Sequence, residues 1–230
     1  YSFQTFCVAM PEDNKVEKDR LLKLTKNKEA NYRTLLTSTQ AKKEAFEREL
    51  FDFESQLRII IDPNSIPPAG KGILAWPLDE VFITQRFGKT VDAKRLYVSG
   101  THSGVDFRAA VGTPVKATLS GIITAVGDTD RACPGASYGK WVLVKHGNGL
   151  STVYGHLSLI KAVAGATVAT GEVIAYSGNS GYSTGPHLHL GVLATQGVRV
   201  GEYISKSCVG AKIIMPLISV NAYLDPLIYL

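Results

Sequence analysis

The stretch that decides the fold is residues 141–160, WVLVKHGNGLSTVYGHLSLI. Two runs rich in Val, Leu and Thr, Trp141–Lys145 and Ser151–Tyr154, flank the tripeptide Gly147-Asn148-Gly149. Asn and Gly readily adopt the positive φ angles that tight hairpin turns require. The pattern therefore predicts two antiparallel strands joined by a short turn.

The same β pattern continues along the chain after Trp76. Short runs of Val, Ile, Leu and Thr alternate with glycine turns, and no stretch of ten or more residues shows convincing helical periodicity. Further strands are predicted at Gly121–Val126, Glu172–Tyr176 and Leu188–Leu193. The fold class expected for this part of the chain is a mainly β domain.

Residues 12–61 have a different composition, with dense alternating charges, no glycine and no proline. Apolar residues recur there at heptad spacing: Phe46, Leu50, Phe53, Leu57 and Ile60. The stripe continues less regularly upstream through Leu21, Leu24, Tyr32 and Leu35, with Thr39 and Lys42 interrupting it. This pattern predicts a long α-helical coiled-coil segment, which would be about 75 Å long for fifty residues.

A helix of this kind cannot bury its apolar stripe alone, so residues 12–61 are expected to have a partner. The candidates are a second copy of the chain in a homodimer, a helix absent from this chain, or another protein. Residues 62–72, DPNSIPPAGKG, then stop the helix with three prolines and two glycines. The predicted organisation is a helical arm over 1–61, a Pro/Gly linker over 62–75 and a β domain over 76–230.

The formal net charge of +5 is unevenly distributed along the chain. Residues 11–58 carry 11 Lys/Arg and 10 Asp/Glu, and the remainder carries 14 and 10. That excess would suit an anionic partner such as a cell-wall polymer or nucleic acid, but simple solubility is the favoured interpretation. No Lys/Arg-rich run marks a nucleic-acid arm, and no run of 18 uncharged apolar residues predicts a transmembrane segment. Because the chain begins at Tyr1, a signal or membrane anchor can precede it.

The chain has three cysteines, an odd number. Cys133 and Cys208 lie in loop-like stretches, and we predict a disulfide between them, which favours a location outside the cytosol. Cys7 is then left to pair with another chain or with a cysteine absent from this one. Without a Cys-x-x-Cys spacing, zinc binding by these cysteines is not expected.

Four of the five histidines fall in three short motifs: His102-Ser103-Gly104-Val105-Asp106, Tyr154-Gly155-His156 and Gly185-Pro186-His187-Leu188-His189. On a strand, His187 and His189 would share one face. Three histidines with one aspartate would make a zinc site and leave a fourth histidine for acid–base chemistry. Taken singly, each motif is also typical of surface histidines or of a hydrogen-bonded His–Asp pair. His146 has no partner motif and is predicted to be structural or exposed.

These motifs, in this order, resemble the M23 family of zinc metallopeptidases, the lysostaphin/LytM-like peptidoglycan endopeptidases. The resemblance covers residues 76–230 and also includes Trp76-Pro77-Leu78, Gly112-Thr113-Pro114-Val115, Gly178-Asn179-Ser180-Gly181 and the closing Asp225-Pro226. It implies a compact antiparallel β domain in which one Zn²⁺ is held by His102, Asp106 and His189. It further implies that His156 and His187 are catalytic histidines beside the zinc-bound water. The resemblance thus assigns two histidines to the metal instead of three.

The function implied is a zinc-dependent endopeptidase that hydrolyses peptide bonds in peptidoglycan stem peptides or cross-bridges. Peptidoglycan is the expected partner, nucleic acid is not, and the expected location is extracytoplasmic: cell envelope, periplasm or secreted. His187 is the favoured general base, and His156 would stabilise the oxyanion or protonate the leaving amine.

Degenerate family members paired with coiled coils regulate other murein hydrolases without catalysis. That alternative, an activator or scaffold, is less favoured because all five functional positions are filled. The helical arm would either regulate the enzyme, by covering its groove or by recruiting it to division machinery as in relatives, or serve only as a stalk, tether or dimerisation element.

Overall fold

A long helix precedes an antiparallel β-sheet in this chain. The computed structural model describes residues 11–57 and 59–230. Helix α1 spans Pro11–Gln56 and helix α2 spans Val91–Leu96. The strands in the described residues are β1 Ile83–Gln85, β2 Val105–Arg108, β3 Pro114–Lys116, β4 Gly121–Asp128, β5 Lys140–His146, β6 Leu150–Ile160, β7 Thr167–Val168, β8 Val173–Ser177, β9 His187–Ala194, β10 Val198–Ile204, β11 Lys212–Ile218 and β12 Tyr223–Leu224. Short 3₁₀ turns lie at Pro63–Ser65, Thr129–Arg131, Thr195–Gly197, Val220–Ala222 and Pro226–Ile228.

The main sheet is antiparallel throughout. Its central path runs β1-β2-β9-β6-β5-β4-β7, while β12 pairs with β9 and β8 pairs with both β6 and β3. Strands β10 and β11 form a separate two-stranded hairpin. The predicted hairpin over residues 141–160 is confirmed as β5 and β6, and the other three predicted strands are confirmed as β4, β8 and β9.

The core lies against the long central strands β6 and β9, which are buried on both faces over most of their length. Apolar side chains from several strands meet there, among them Phe107, Val142, Leu157, Leu188 and Leu190. Because β9 sits between β2 and β6, its first residues are fixed by hydrogen bonds on two sides. This rigid strand is the one that carries the His-x-His motif.

The C-terminal part of α1 packs on the chain's own β10–β11 hairpin. Phe46 and Leu50 are buried there against Tyr203, Ile213 and Met215. The Tyr203 ring makes edge contacts with Phe46 and Phe53 at centroid distances of 6.0 and 5.2 Å. The heptad stripe was expected to need a second helix or another chain, but its C-terminal half is covered by this hairpin. Ile60, the last predicted member of the stripe, is exposed.

One carboxylate fastens this part of the helix to the domain. Glu49 accepts hydrogen bonds from the backbone amides of Lys206 and Ser207, at 2.6 and 3.0 Å. The hydroxyls of Tyr203, Ser205 and Ser207 also donate to it. Although partial burial alone would raise the pKa of Glu49, these donors lower it.

The next residue in the same loop, Cys208, forms the predicted disulfide with Cys133, with a Cα–Cα distance of 5.8 Å.

Residues 1–41 and 42–230 are separate compact units. In the first unit, the described helix carries exposed ion pairs such as Glu29–Arg33 at 2.7 Å. Leu21, Leu24, Tyr32 and Leu35 are exposed on it, so a coiled-coil partner or homodimer for this part stays a prediction. No helix in the described part of the chain is long and apolar enough to cross a membrane. Cys7 and its pairing lie outside the described residues.

The predicted boundaries at residues 61 and 75 stay a prediction, but the predicted linker is held against the β domain. The amides of Gly70 and Leu74 donate to the carbonyls of Ile228 and Tyr229 at 3.0 and 2.9 Å. Leu74 is buried in the main core. The β-domain unit itself begins at Lys42, so it includes the end of α1.

Candidate metal centre

Strand pairing brings the first and third histidine motifs together. In the β2–β9 ladder, Asp106 lies directly opposite His189 and Arg108 lies opposite His187. Residues two apart on a strand share a face, so these four side chains project from the same side of the sheet. The prediction that His187 and His189 lie on one strand face is confirmed.

His102 reaches the same point from an isolated bridge between its backbone and that of Gly88. Its Nδ1 lies 3.1 Å from the carbonyl oxygen of Arg86, which can only accept a hydrogen bond. This contact assigns the proton to Nδ1 and leaves a lone pair on Nε2. Such a carbonyl contact on the far ring nitrogen is typical of metal-binding histidines, because it fixes both the tautomer and the ring orientation.

Three ligand atoms converge in the centre of this cluster. Asp106 Oδ1 lies 2.9 Å from His189 Nδ1 and 3.2 Å from His102 Nε2, and the two ring nitrogens are 3.2 Å apart. All three side chains are buried. Among the described residues, this trio is the group of His, Cys, Asp or Glu side chains that is placed to hold a metal ion.

The atom types and the spacing of these three donors are suited to binding a metal ion. Two imidazole nitrogens and one carboxylate oxygen are common zinc ligands, and atoms bound about 2.0–2.1 Å from one tetrahedral ion lie roughly 3.3 Å apart. Electron pairs that face each other at this distance are best balanced by a cation. Three protein ligands would also leave one coordination position open, as a catalytic site requires.

A missing side chain makes room for the ring of His189. A Cβ atom on Gly104 would lie 2.7 Å from His189 Cε1 and 2.8 Å from its Nε2, and it would collide with the carbonyl oxygen of Leu190. Only glycine therefore lets the turn after His102 pass this close to β9. The glycine in His102-Ser103-Gly104-Val105-Asp106 belongs to the site for a steric reason.

Burial and charge determine the protonation of the trio. Burial alone would raise the pKa of Asp106, but contacts with His102 and His189 outweigh it and hold that pKa well below its usual range. Burial lowers the pKa of His189, although Asp106 opposes this effect. At neutral pH the trio thus consists of a carboxylate with at least one neutral imidazole, which is the form that binds metal.

The other two clustered histidines lie beside the trio. His187 Nε2 is 3.6 Å from Asp106 Oδ2, and the ring centroids of His156 and His187 are 4.6 Å apart. His187 Nδ1 lies 2.8 Å from the Gly185 carbonyl, and His156 Nδ1 lies 2.8 Å from the Ser180 carbonyl. Both contacts put the proton on Nδ1, so each ring keeps an Nε2 lone pair.

His156 is both buried and strained. Burial, with repulsion from His187 and His189, lowers the pKa of His156 to about 3, so its ring is neutral at pH 7. Its φ of 60° lies in the left-handed region that non-glycine residues rarely adopt. Backbone outliers of this kind cluster at functional sites, where the surrounding structure maintains them. Here the His156 amide donates to the Tyr138 carbonyl at 2.7 Å.

His146 was predicted to be either structural or exposed, and its surroundings fit the structural alternative. It is buried, with Nδ1 3.0 Å from the Ser120 carbonyl and Nε2 2.9 Å from the Thr152 hydroxyl. Both ring nitrogens are therefore occupied by the domain's own polar groups. The structure brings the other four histidines together with Asp106 and leaves this one out.

A cavity of about 330 Å³ adjoins the trio, and the helix forms part of its wall. His102, His156 and His189 line it on the sheet side, and four side chains of α1 line it as well: Glu47, Leu50, Phe51 and Glu54. Burial raises the pKa of Glu54 to about 8 and that of Glu47 to about 7.

Several residues of this cavity were missed by the sequence analysis. Tyr97 stacks on His102 at 5.4 Å with a 9° angle between the ring planes, and Tyr138 lies 5.8 Å from His189. Nothing in the heptad pattern distinguishes Glu47 or Phe51 from other helix residues, because their role depends on where the helix docks.

A buried His/Asp/His trio with two further imidazoles on an antiparallel sheet is the kind of site that metal-dependent hydrolases use. Residues 100–202 match the sequence profile of peptidase family M23, so the chain contains an M23 peptidase domain. This agrees with the family named from the motifs.

Among the relatives that match part of this chain are three bacterial endopeptidases. The chain is 44% identical over 88 residues to a DD-carboxypeptidase/endopeptidase of Neisseria meningitidis, covering 38% of this chain and 19% of that protein. It is 35% identical over 118 residues to a peptidoglycan DD-endopeptidase of Vibrio cholerae, covering 50% and 25%. It is 42% identical over 90 residues to a glycyl-glycine endopeptidase of Staphylococcus capitis, covering 39% and 24%. The chain thus spans a quarter or less of the length of these relatives.

Proposed function

We propose that this chain is a zinc-dependent endopeptidase that hydrolyses peptide bonds in peptidoglycan outside the cytoplasm. The observation that carries the proposal is the convergence of His102 Nε2, Asp106 Oδ1 and His189 Nδ1 within 3.2 Å of one another. The names of the three relatives support peptidase activity and peptidoglycan as the substrate class. The Cys133–Cys208 disulfide supports an oxidising compartment.

In this proposal His102, Asp106 and His189 hold the zinc ion. When bound, zinc supplies a Lewis acid for the scissile carbonyl and lowers the pKa of a water towards neutrality. Asp106 Oδ1 and His189 Nδ1, which lie 2.9 Å apart, would both be ligands of the ion. Arg86 orients His102 through its backbone carbonyl.

His187 is proposed as the general base. Its Nδ1 proton is held by the Gly185 carbonyl, so its Nε2 lone pair can take a proton from the attacking water. Its side chain keeps 15% exposure, whereas His156 is buried and uncharged. His156, held by Ser180, is proposed to stabilise the developing charge or to pass a proton to the leaving amine.

The test is digestion of purified peptidoglycan of several chemotypes, with mass spectrometry of the soluble products and elemental analysis of bound metal. We expect fragments released by cleavage at D-amino-acid cross-links or at glycine-rich bridges, and the products identify which. His187→Ala should keep zinc and lose activity, whereas Asp106→Ala should lose both. Zinc bound with no fragments from any chemotype would instead support the non-catalytic activator or scaffold.

A further inference from the structure

Arg108 is the residue beside the site that neither the motifs nor the proposed chemistry uses. It follows Asp106 by two positions on β2 and lies directly opposite His187 in the β2–β9 ladder. Residues paired in this way have Cβ atoms about 4.5–5.5 Å apart. Unlike Asp106, His187 and His189, Arg108 is exposed to solvent. It therefore presents a positive charge at the open side of the metal centre.

The guanidinium of Arg108 is held in place by an aromatic ring. Its Cζ atom lies 4.1 Å from the ring centroid of Phe82, a cation–π contact. The Arg108 amide also donates to the Phe82 carbonyl at 2.9 Å, so the two residues are tied together at the backbone. A long side chain that is already ordered loses less conformational entropy when it binds a ligand.

This cation lacks an anionic partner in the described part of the chain. The ion pairs found there involve other residues, and the nearest carboxylate on its strand, Asp106, is occupied by three histidines. A planar guanidinium with free donors is suited to a carboxylate, which it binds through two parallel hydrogen bonds. The ring of Phe82 covers one face of the guanidinium and leaves its edge available.

We propose that Arg108 is a specificity-determining residue that binds a substrate carboxylate next to the scissile peptide bond. This inference rests on the proposed function. The carboxylate belongs either to a side chain of the residue that supplies the scissile nitrogen or to the C-terminus of the peptide. Binding at this position would align the peptide along β9, with the scissile carbonyl at the trio and the carboxylate beyond His187.

The test uses synthetic cross-linked peptides in matched pairs. In one pair the side-chain carboxylate next to the scissile bond is free or converted to a carboxamide; in the other pair the C-terminal carboxylate is treated in the same way. The full chain is compared with Arg108→Gln, Arg108→Lys and Phe82→Leu. Arg199→Gln, which removes an exposed charge from β10, is the matched control.

We expect Arg108→Gln to raise KM about tenfold for the carboxylate form of one pair, with kcat little changed, because uniform binding is lost. Amidation should cost the wild-type chain a similar factor and should cost Arg108→Gln nothing further. Arg108→Lys should recover part of the loss, and Phe82→Leu should show a smaller one. The pair that responds identifies which carboxylate Arg108 binds.

Equal losses on the carboxylate and carboxamide forms, or no loss on either, would overturn the assignment while leaving the peptidase proposal intact. If the wild-type chain cleaves none of the peptides, the proposed function has failed instead. In that case the same pairs are compared by binding in a His156→Ala background, with and without Arg108→Gln. A tenfold preference for the carboxylate that disappears with Arg108 would still support the site, and its absence would reject it.

Discussion

Gly104 leaves room for the ring of His189, because a side chain at this position would clash with it. Because its Cβ would meet the His189 ring and the Leu190 carbonyl, we expect Gly104→Ala to displace β9 or the turn after His102. The expected result is a loss of roughly 1–3 kcal/mol of stability, the usual cost of overpacking, and at least tenfold weaker zinc binding. Denaturation and competitive zinc titration measure the two effects.

Gly147→Ala is the matched control for this substitution. Gly147 also precedes a strand, but a Cβ there meets no atom within 4 Å and the residue does not have a positive φ. We expect zinc affinity to be unchanged in that variant. Normal zinc affinity in Gly104→Ala would show that the glycine has no part in shaping the site.

The strained backbone of His156 makes a second prediction at the scale of one residue. At a φ of 60°, glycine carries no Cβ penalty, whereas alanine keeps it. Both His156→Gly and His156→Ala remove the imidazole and its contact with Ser180, so the difference between them isolates the backbone. We expect His156→Gly to be more stable than His156→Ala by about 1 kcal/mol, with both variants inactive and both binding zinc.

Chemical denaturation of the two variants, with zinc bound, measures that difference. If alanine is as stable as glycine, the residue is not held in a strained conformation. Appreciable activity in either variant would remove His156 from the proposed chemistry.

Among the elements, the end of helix α1 carries a buried carboxyl whose protonation is linked to stability. Burial raises the pKa of Glu54 to about 8 from an ordinary value of 4.5. Below about pH 4.5 the group is protonated in both states. Between 4.5 and 8 the folded state binds more protons than the unfolded state, so the free energy of unfolding falls as pH rises. The slope is at most about 1.4 kcal/mol per pH unit.

Glu54→Gln should flatten this pH dependence and stabilise the protein at pH 8. The amide oxygen of glutamine can still accept from the Ile218 amide, and its amide nitrogen can donate to the Tyr223 hydroxyl, which now donates to the other carboxylate oxygen of Glu54. Glu47, whose pKa is raised to about 7, contributes in the same direction and should leave a smaller slope. Urea denaturation at pH 5, 6.5 and 8 measures the effect, with the exposed Asp52→Asn as control. An unchanged slope would mean that Glu54 ionises freely in the folded protein.

The carboxylate of Glu49 is expected to decide how firmly the same helix segment is docked. Glu49→Ala leaves two backbone amides of the Lys206–Ser207 loop without their acceptor, so we expect a loss of about 2–3 kcal/mol. Amide hydrogen exchange should show weaker protection over residues 42–56, whereas exposed Asp52→Ala should leave it unchanged. Equal protection in both variants would mean that apolar packing alone holds the helix.

For the whole molecule, the docked end of the helix is expected both to limit access to the site and to stabilise the β domain. Removing residues 1–71 takes away the wall formed by Glu47 and Phe51 and exposes Tyr203 and Met215. We expect faster peptidoglycan cleavage and a lower melting temperature. Removing residues 1–41 deletes only the separate helical unit and should change neither. If the chain that lacks residues 1–71, and so starts at Gly72, cleaves at the same rate as the full chain, the helix does not limit access to the site.

Much of the β domain could be predicted because its signals are local. The Gly147-Asn148-Gly149 turn joins the two strands of the hairpin, with Gly149 at a φ of 85°, and alternation on β9 fixes which face His187 and His189 share. The five candidate site residues were identified from short motifs and from the family resemblance. The structure brings all five together, and their individual roles stay proposals.

Other features could not be predicted because they depend on contacts between residues far apart in the chain. Arg108 looks like any surface arginine until strand pairing sets it opposite His187. Glu49 and Glu54 are two of many charges in a helical pattern until the helix docks. The sequence by itself determined the helix, the hairpin, the histidine motifs and the family. Only the tertiary structure decided what covers the end of the helix, because periodicity records that an apolar stripe must be buried and not which surface buries it.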